Sequence, residues 1–170
     1  MWEMDYDKAA NVWIERDKGI VAMENDALKE RIEKFIQEHN TCALATADAD
    51  MVRNTPIEYM FFDGAFYLLS EGGLKYKCLK DNKKVGIAIF ESFSGFGKLK
   101  GLQVEGEAYM IEPFSEEYLK AIEVKKIPVE GMKRLPMPLN LIKVVPKAYD
   151  YLESELKNEG FGGRQHLDLQ

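Results

Sequence analysis

The sequence predicts a mainly β, α+β domain, with six antiparallel strands closing into a small barrel and helices at its periphery. Three observations predict it. The apolar period changes from helical to strand-like near residue 41. An Asp63-Gly64 pair sits between two apolar runs, as a tight hairpin turn requires. Two further runs, at 85–90 and 99–111, continue the strand pattern, and closure into a barrel removes the edges such a sheet would expose.

Before the change of period, DYDKAANVWIERDK (5–18) places Ala9, Val12, Trp13 and Arg16 at helical spacing. A second helix is predicted from about Asp26 to His39. Leu28, Ile32, Phe35 and Ile36 form its buried stripe, Asn25 or Asp26 can cap its start, and Asn40 stops it. TCALATA (41–47) is the first strand and DADM the turn into MVRNTPIEYMFF (51–62), where Arg53, Thr55, Ile57, Tyr59 and Phe61 share a face. After Asp63-Gly64, AFYLLS (65–70) returns as a third strand, so the three are expected to form a meander.

VGIAIF (85–90) is almost wholly apolar, as in a strand covered on both faces, and GFGK (95–98) is a flexible loop. In LKGLQVEGEAYMI (99–111) apolar and polar residues alternate around Gly106, which invites a bulge. Pro113 and Ser115 open a helix to about Lys125, residues 127–140 read as an irregular loop, and 141–152 as a last strand kinked or exposed at Pro146.

At 170 residues and 46% hydrophobic content the chain fits one domain, 1–170, with a helical extension at 1–24 and a polar, loosely docked tail at 153–170. A net charge of -6 argues against nucleic acid or an anionic membrane as main partner. The opening MWEMDYDKAAN is acidic and lacks a long apolar run, so neither a secretory signal nor a membrane span is expected, and a cytoplasmic location follows as an expectation. Cys42 and Cys78 are separated and fall in a strand and a helix, which suits buried reduced thiols. His39 and His166 are the only histidines, and neither has a metal-ligand neighbour pattern; no catalytic triad is readable.

Against this acidic background, SEGGLKYKCLKDNKKVGIAIF (70–90) contains five lysines between Lys75 and Lys84. At 100° per residue Leu74, Cys78 and Leu79 fall on one side, and Lys77, Lys80 and Lys84 on the other. Lys75 points between Cys78 and Leu79, toward packed surface, in a first turn whose dipole favours negative charge. A bound phosphate, an ordinary salt bridge and a snorkelling stem each satisfy such a lysine.

The order VRNTPIEYMF, DGAFYLLS, GGLKYKCLKDNKKVGIAIF resembles the pyridoxamine 5'-phosphate oxidase-like family, the FMN-binding split barrels. Lys75, Leu79, Asn82 and Val85 match its helix pattern K-x-x-x-L-x-x-N-x-x-V, and the likeness runs from about residue 26 to 112. The resemblance implies a split barrel and a homodimer, with each FMN in a groove completed by the second chain. It implies that Lys75 and Arg53 hold the FMN phosphate, with a hydroxyl from Ser70. Where the family often has Ser or Thr, this chain has Gly73 and Leu74, whose backbone N–H groups would serve instead. Asn54, Thr55, Pro56 and Ile57 correspond to the segment along the isoalloxazine ring.

The implied activity is an FMN-dependent oxidoreductase acting on a small molecule. The C-terminal Trp, Arg and Arg-Leu-x-Pro ending of the true pyridoxamine phosphate oxidases has no counterpart in RQHLDLQ, so another substrate is expected. In that stretch Arg164, Gln165 and His166 could reach a partner's flavin. Two other readings stay open: a haem-binding or haem-handling protein using His166, as in some split-barrel relatives, and a noncatalytic flavin carrier or sensor.

Overall fold

The structure, a computed structural model, describes residues 3–169; Met1, Trp2 and Gln170, at the ends of the extension and the tail, lie outside the described residues. Helix α1 (Tyr6–Asp17) opens the chain, with the Asp5 carboxylate accepting from Lys8 N at 2.8 Å as its cap. Helix α2 (Asn25–Gln37) follows and buries Leu28, Ile32, Phe35 and Ile36, the predicted stripe. Its cap position is Glu24, without a side-chain bond, so neither Asn25 nor Asp26 caps it.

Eight strands form one antiparallel sheet curled into a split barrel: β1 (Thr41–Ala47), β2 (Val52–Glu58), β3 (Met60–Phe62), β4 (Ala65–Ser70), β5 (Lys84–Phe90), β6 (Lys100–Ile111), β7 (Asn140–Glu153) and β8 (Arg164–Asp168). The strand order is β2-β1-β5-β6-β7-β4-β3, with β8 added on β7.

Two corrections account for eight strands instead of six. The expected strand 51–62 divides at Tyr59, whose N–H donates to Asn40 O at 2.9 Å and whose hydroxyl donates to Ile36 O at 2.6 Å. The chain turns there, leaving β2 on β1 and sending β3 to the opposite end of the strand order. The meander is therefore replaced by two separate hairpins. Residues 164–168, read as a loose tail, pair with Ala148–Leu152.

Strand β7 makes this possible through its length. Its first residues pair with β4 and its last with β8 along the same edge, while β6 runs along the other. The register shifts at Gly106, opposite Pro146, which has no N–H to give a ladder. A Cβ on Gly106 would lie 2.8 Å from Val144 Cγ1 and 2.9 Å from the Val145 carbonyl, so the bulge depends on glycine.

The Asp63-Gly64 hairpin is confirmed, with φ of 50° and 70°. Helix α4 (Glu116–Val124), capped by Ser115, also forms as expected, whereas the loop after it contains a short helix, α5 (Val129–Lys133).

Inside the barrel, the α2 stripe packs on Leu44, Phe66, Leu68, Ile87, Val104, Val144 and Tyr149. A second cluster lies on the other face of β3 and β4, where Tyr67 and Leu141 meet Tyr118 and Ile122 of α4. The strand covered on both faces is thus β4, not β5. Strand β5 buries Val85, Ile87 and Ile89, but turns Gly86, Ala88 and an exposed Phe90 outward.

Candidate functional site

Helix α3 (Lys75–Asp81) follows the Gly72-Gly73 turn and lies over the β1–β2 hairpin. Two contacts hold it there: Cys78 Sγ donates to Met51 O at 3.8 Å, and Asn82 Nδ2 donates to Ala47 O at 2.9 Å. Arg53 is the second residue of β2, opposite Thr46, so the hairpin brings it to the same end of the barrel as Lys75.

Lys75 is only 6% exposed, the inward direction its position in the helix predicts, while Lys77, Lys80, Lys83 and Lys84 are exposed. Leu74 differs from expectation: at 45% exposed it stays outside, because the first turn rotates Lys75 into the packed side. Lys75 Nζ donates to the Gly72 carbonyl and lies 5.0 Å above the Tyr76 ring. Among the described residues no carboxylate pairs with it, and burial lowers its pKa. Arg53 is exposed and, among the described residues, makes neither a side-chain hydrogen bond nor an ion pair.

Ser70 is nearly buried and its hydroxyl donates to the same Gly72 carbonyl at 3.2 Å. Gly73 adopts φ of 112°, a region that favours glycine. Asn54 and Pro56 are exposed, Thr55 and Ile57 half-buried, and all four lie on a strand that, among the described residues, pairs only with β1. Their other edge therefore carries free backbone polar groups, as a barrel-wall strand would not.

Sequence reasoning missed three features of this end. Among the described residues Thr46 Oγ1 and Tyr76 OH are buried without an aligned hydrogen-bond partner; burial pushes the Tyr76 phenol up, with the nearby Ser70 hydroxyl opposing. Asn140, at the start of β7, donates to Ser70 O at 3.3 Å and Glu71 O at 3.4 Å, fixing the base of the turn. Thr46 was visible as the polar inward position of an apolar strand; Asn140 had no local signal. Two unpaired cations beside buried hydroxyls fit an anionic group such as a flavin's phosphate.

The C-terminal candidates lie apart from these residues. Gln165 is buried, accepting from Met23 N at 2.9 Å and donating to Gly162 O at 2.7 Å. Arg164 stacks on Trp13. His166 is held at both ring nitrogens, Nδ1 at 2.8 Å from Asp150 and Nε2 at 3.3 Å from Asp168, and the Asp150 bond raises its pKa first of all. Among the described residues no group of three His, Cys, Asp or Glu side chains could hold a metal ion, and no helix is long and apolar enough to cross a membrane. Both cysteines are buried and unpaired, and burial pushes Cys42 up to about 12.

Fold and site together define an antiparallel split-barrel protein with Lys75 and Arg53 brought to one end of the barrel. The family model described as pyridoxamine 5'-phosphate oxidase matches residues 28–151, and the chain belongs to that family. No curated protein matches the sequence.

Among solved structures it is similar to HutZ, the haem storage protein from Vibrio cholerae, at 23% identity and a TM-score of 0.58, covering 70% of this chain and 89% of that one. It is similar to an FAD-binding protein from Mesorhizobium loti at 19% identity and a TM-score of 0.58, covering 77% and 95%. Campylobacter jejuni ChuZ has 15% identity and a TM-score of 0.65, covering 98% and 70%. At these identities the likeness establishes the fold.

Proposed function

We propose that this protein is an FMN-binding oxidoreductase that acts on a small molecule in a cleft completed by a second copy of the chain. The observation that carries the reading is Lys75, buried without a carboxylate partner at the end of the barrel where Arg53 is also unpaired. A buried cation is costly unless something neutralises it, and a phosphate of charge near -2 does so for both residues.

In this reading Lys75, Arg53 and Ser70 hold the phosphate, with backbone N–H groups of Gly73 and Leu74. The free edge along Asn54, Thr55, Pro56 and Ile57 offers polar backbone groups to the ring. The bound flavin would supply redox chemistry, and the protein orientation and electrostatics.

The haem reading draws on HutZ, whose name gives it a haem storage role. His166 does not favour it here, since both ring nitrogens are engaged by carboxylates and neither is free to ligate iron. The absorption spectrum of the purified protein, before and after FMN and haem are added in turn, tests the choice. Flavin bands with a protein-induced shift are expected. A Soret band with no response to FMN overturns the proposal.

A further inference from the structure

Two of the three side chains assigned to the phosphate are nearly closed off, Lys75 at 6% and Ser70 at 9% exposed. What closes them is the protein's own backbone. The Gly72 carbonyl accepts from Lys75 Nζ and from Ser70 Oγ, two of the donors assigned to an arriving phosphate. A single neutral oxygen therefore takes the one Ser70 O–H and one of the three Lys75 N–H donors, and a phosphate bonding both side chains competes with it.

The segment that would have to move is short and bounded. On one side Asn140 fixes the Ser70 and Glu71 carbonyls. On the other, Cys78 and Asn82 tie α3 to the β1–β2 hairpin. Between these anchors lie Gly72, Gly73 and Leu74, and they suit movement. Gly73 is at φ of 112°, nothing lies within 4 Å of a Cβ placed on Gly72, and Leu74 is exposed. A swing of Gly72 breaks the two side-chain hydrogen bonds to its carbonyl, while the bonds from Tyr76 N to Gly73 O at 3.2 Å and from Lys77 N to Leu74 O at 3.0 Å hold the start of the helix in place.

We propose that the Gly72 carbonyl is a built-in stand-in for the cofactor's phosphate: it caps Lys75 and Ser70 in the cofactor-free protein and swings away when a dianionic phosphate takes its place. The inference rests on the flavin reading and adds a selection rule to it. A dianionic phosphate adds ion-pair attraction to the Lys75 ammonium that a neutral carbonyl lacks and makes the Ser70 bond charge-assisted, so a phosphate displaces the carbonyl and an uncharged ligand does not. Riboflavin would leave the turn closed. Binding of FMN would be limited, at high concentration, by the opening of the turn.

The test uses NMR on the full chain with labelled lysine and glycine. In the cofactor-free protein the Lys75 ammonium is expected to show a scalar coupling across the hydrogen bond to the Gly72 carbonyl carbon, absent for solvent-facing Lys80. Saturating FMN should abolish that coupling, whereas riboflavin at the same concentration should leave it. In stopped-flow mixing, the observed rate of FMN association should level off with rising FMN.

A coupling that persists with FMN bound, and a rate that stays linear in FMN, overturn the stand-in while leaving the cofactor reading intact. A coupling present in a protein that binds no FMN overturns the cofactor reading and makes the carbonyl contact plain packing. A coupling absent from the cofactor-free protein overturns the inference whatever FMN does.

Discussion

The guanidinium carbon of Arg164 lies 3.9 Å from the centre of the Trp13 indole ring, so a residue of the last strand carries one of the first helix. Helix α1 buries none of its side chains, and this stack is one of the few contacts it makes. The chain after it is held more firmly: Gly162 N donates to Val21 O at 3.0 Å and Met23 N to Gln165 Oε1 at 2.9 Å. The N-terminal extension and the C-terminal strand are therefore one structural unit.

That unit should fail at Gly162. A Cβ there would sit 1.8 Å from Ile20 Cγ2, far inside contact distance, so Gly162→Ala must push the extension off β8. The expected cost is about 1 to 3 kcal/mol, as for an overpacked site. Cleavage by trypsin near Arg16 and Lys18 should quicken, and Ile20→Ala in the same chain should restore protection. A double variant as sensitive as the single one would show that the clash is not the cause.

Lys75→Met should weaken FMN binding roughly ten- to hundredfold, the value of a charge-assisted bond of about 1.5 to 3 kcal/mol, and leave riboflavin binding nearly unchanged. Lys80→Met, on the exposed side of α3, is the control. Flavin fluorescence titration measures both. Equal losses for the two variants would reduce the lysine run to a diffuse positive field.

Glu153 ties α2 to β7. It is 5% exposed, its Oε2 accepts from Arg31 Nε at 2.6 Å and from Tyr151 OH at 3.0 Å, and Lys100 lies 3.4 Å from Oε1. Burial opposes its ionisation, but the Arg31, Tyr151 and Lys100 interactions outweigh it and hold the carboxyl below its ordinary range. Glu153→Ala should cost about 2 to 3 kcal/mol, less than a fully buried pair, because Arg31 keeps Glu159. The stabilisation is present above the unfolded value of about 4.3 and is lost as pH falls through the lower folded value. Urea unfolding from pH 7 to pH 3 should show a smaller loss in the variant than in the parent, the remainder coming from groups such as Glu117 that Lys143 also holds low.

His166 shifts the other way. Its folded pKa is raised by Asp150, with Asp168 adding, so its stabilisation is complete below the unfolded value of about 6.5 and disappears as pH rises through the folded one. The ring is largely exposed, so the effect on global stability is small. Hydrogen exchange at β8 is the sensitive measurement: protection of the His166–Asp168 amides should decrease, relative to β6, above neutral pH. His166→Ala should remove that dependence, and an unchanged profile would deny the histidine this role.

Much of the site was legible in the chain because it rests on local geometry. The helical period turned Lys75 toward Cys78 and Leu79 and left Lys77, Lys80 and Lys84 outside; Asp63-Gly64 set a hairpin; Gly106 and Pro146 marked the bulge. Each depends on neighbours within a few residues, or on a backbone conformation particular to glycine or proline. Only the tertiary structure decided which strands pair over a distance. Tyr59 divides a run that reads as one strand because its hydroxyl and N–H find α2 and Asn40, and the polar 164–168 becomes β8 because β7 is long enough to serve two partners along one edge. Asn140 reaches the turn at Ser70 only across 70 residues of chain. Short-range periodicity is encoded in residue order, whereas such partners are fixed by which edges and buried polar groups the folded chain leaves to be satisfied.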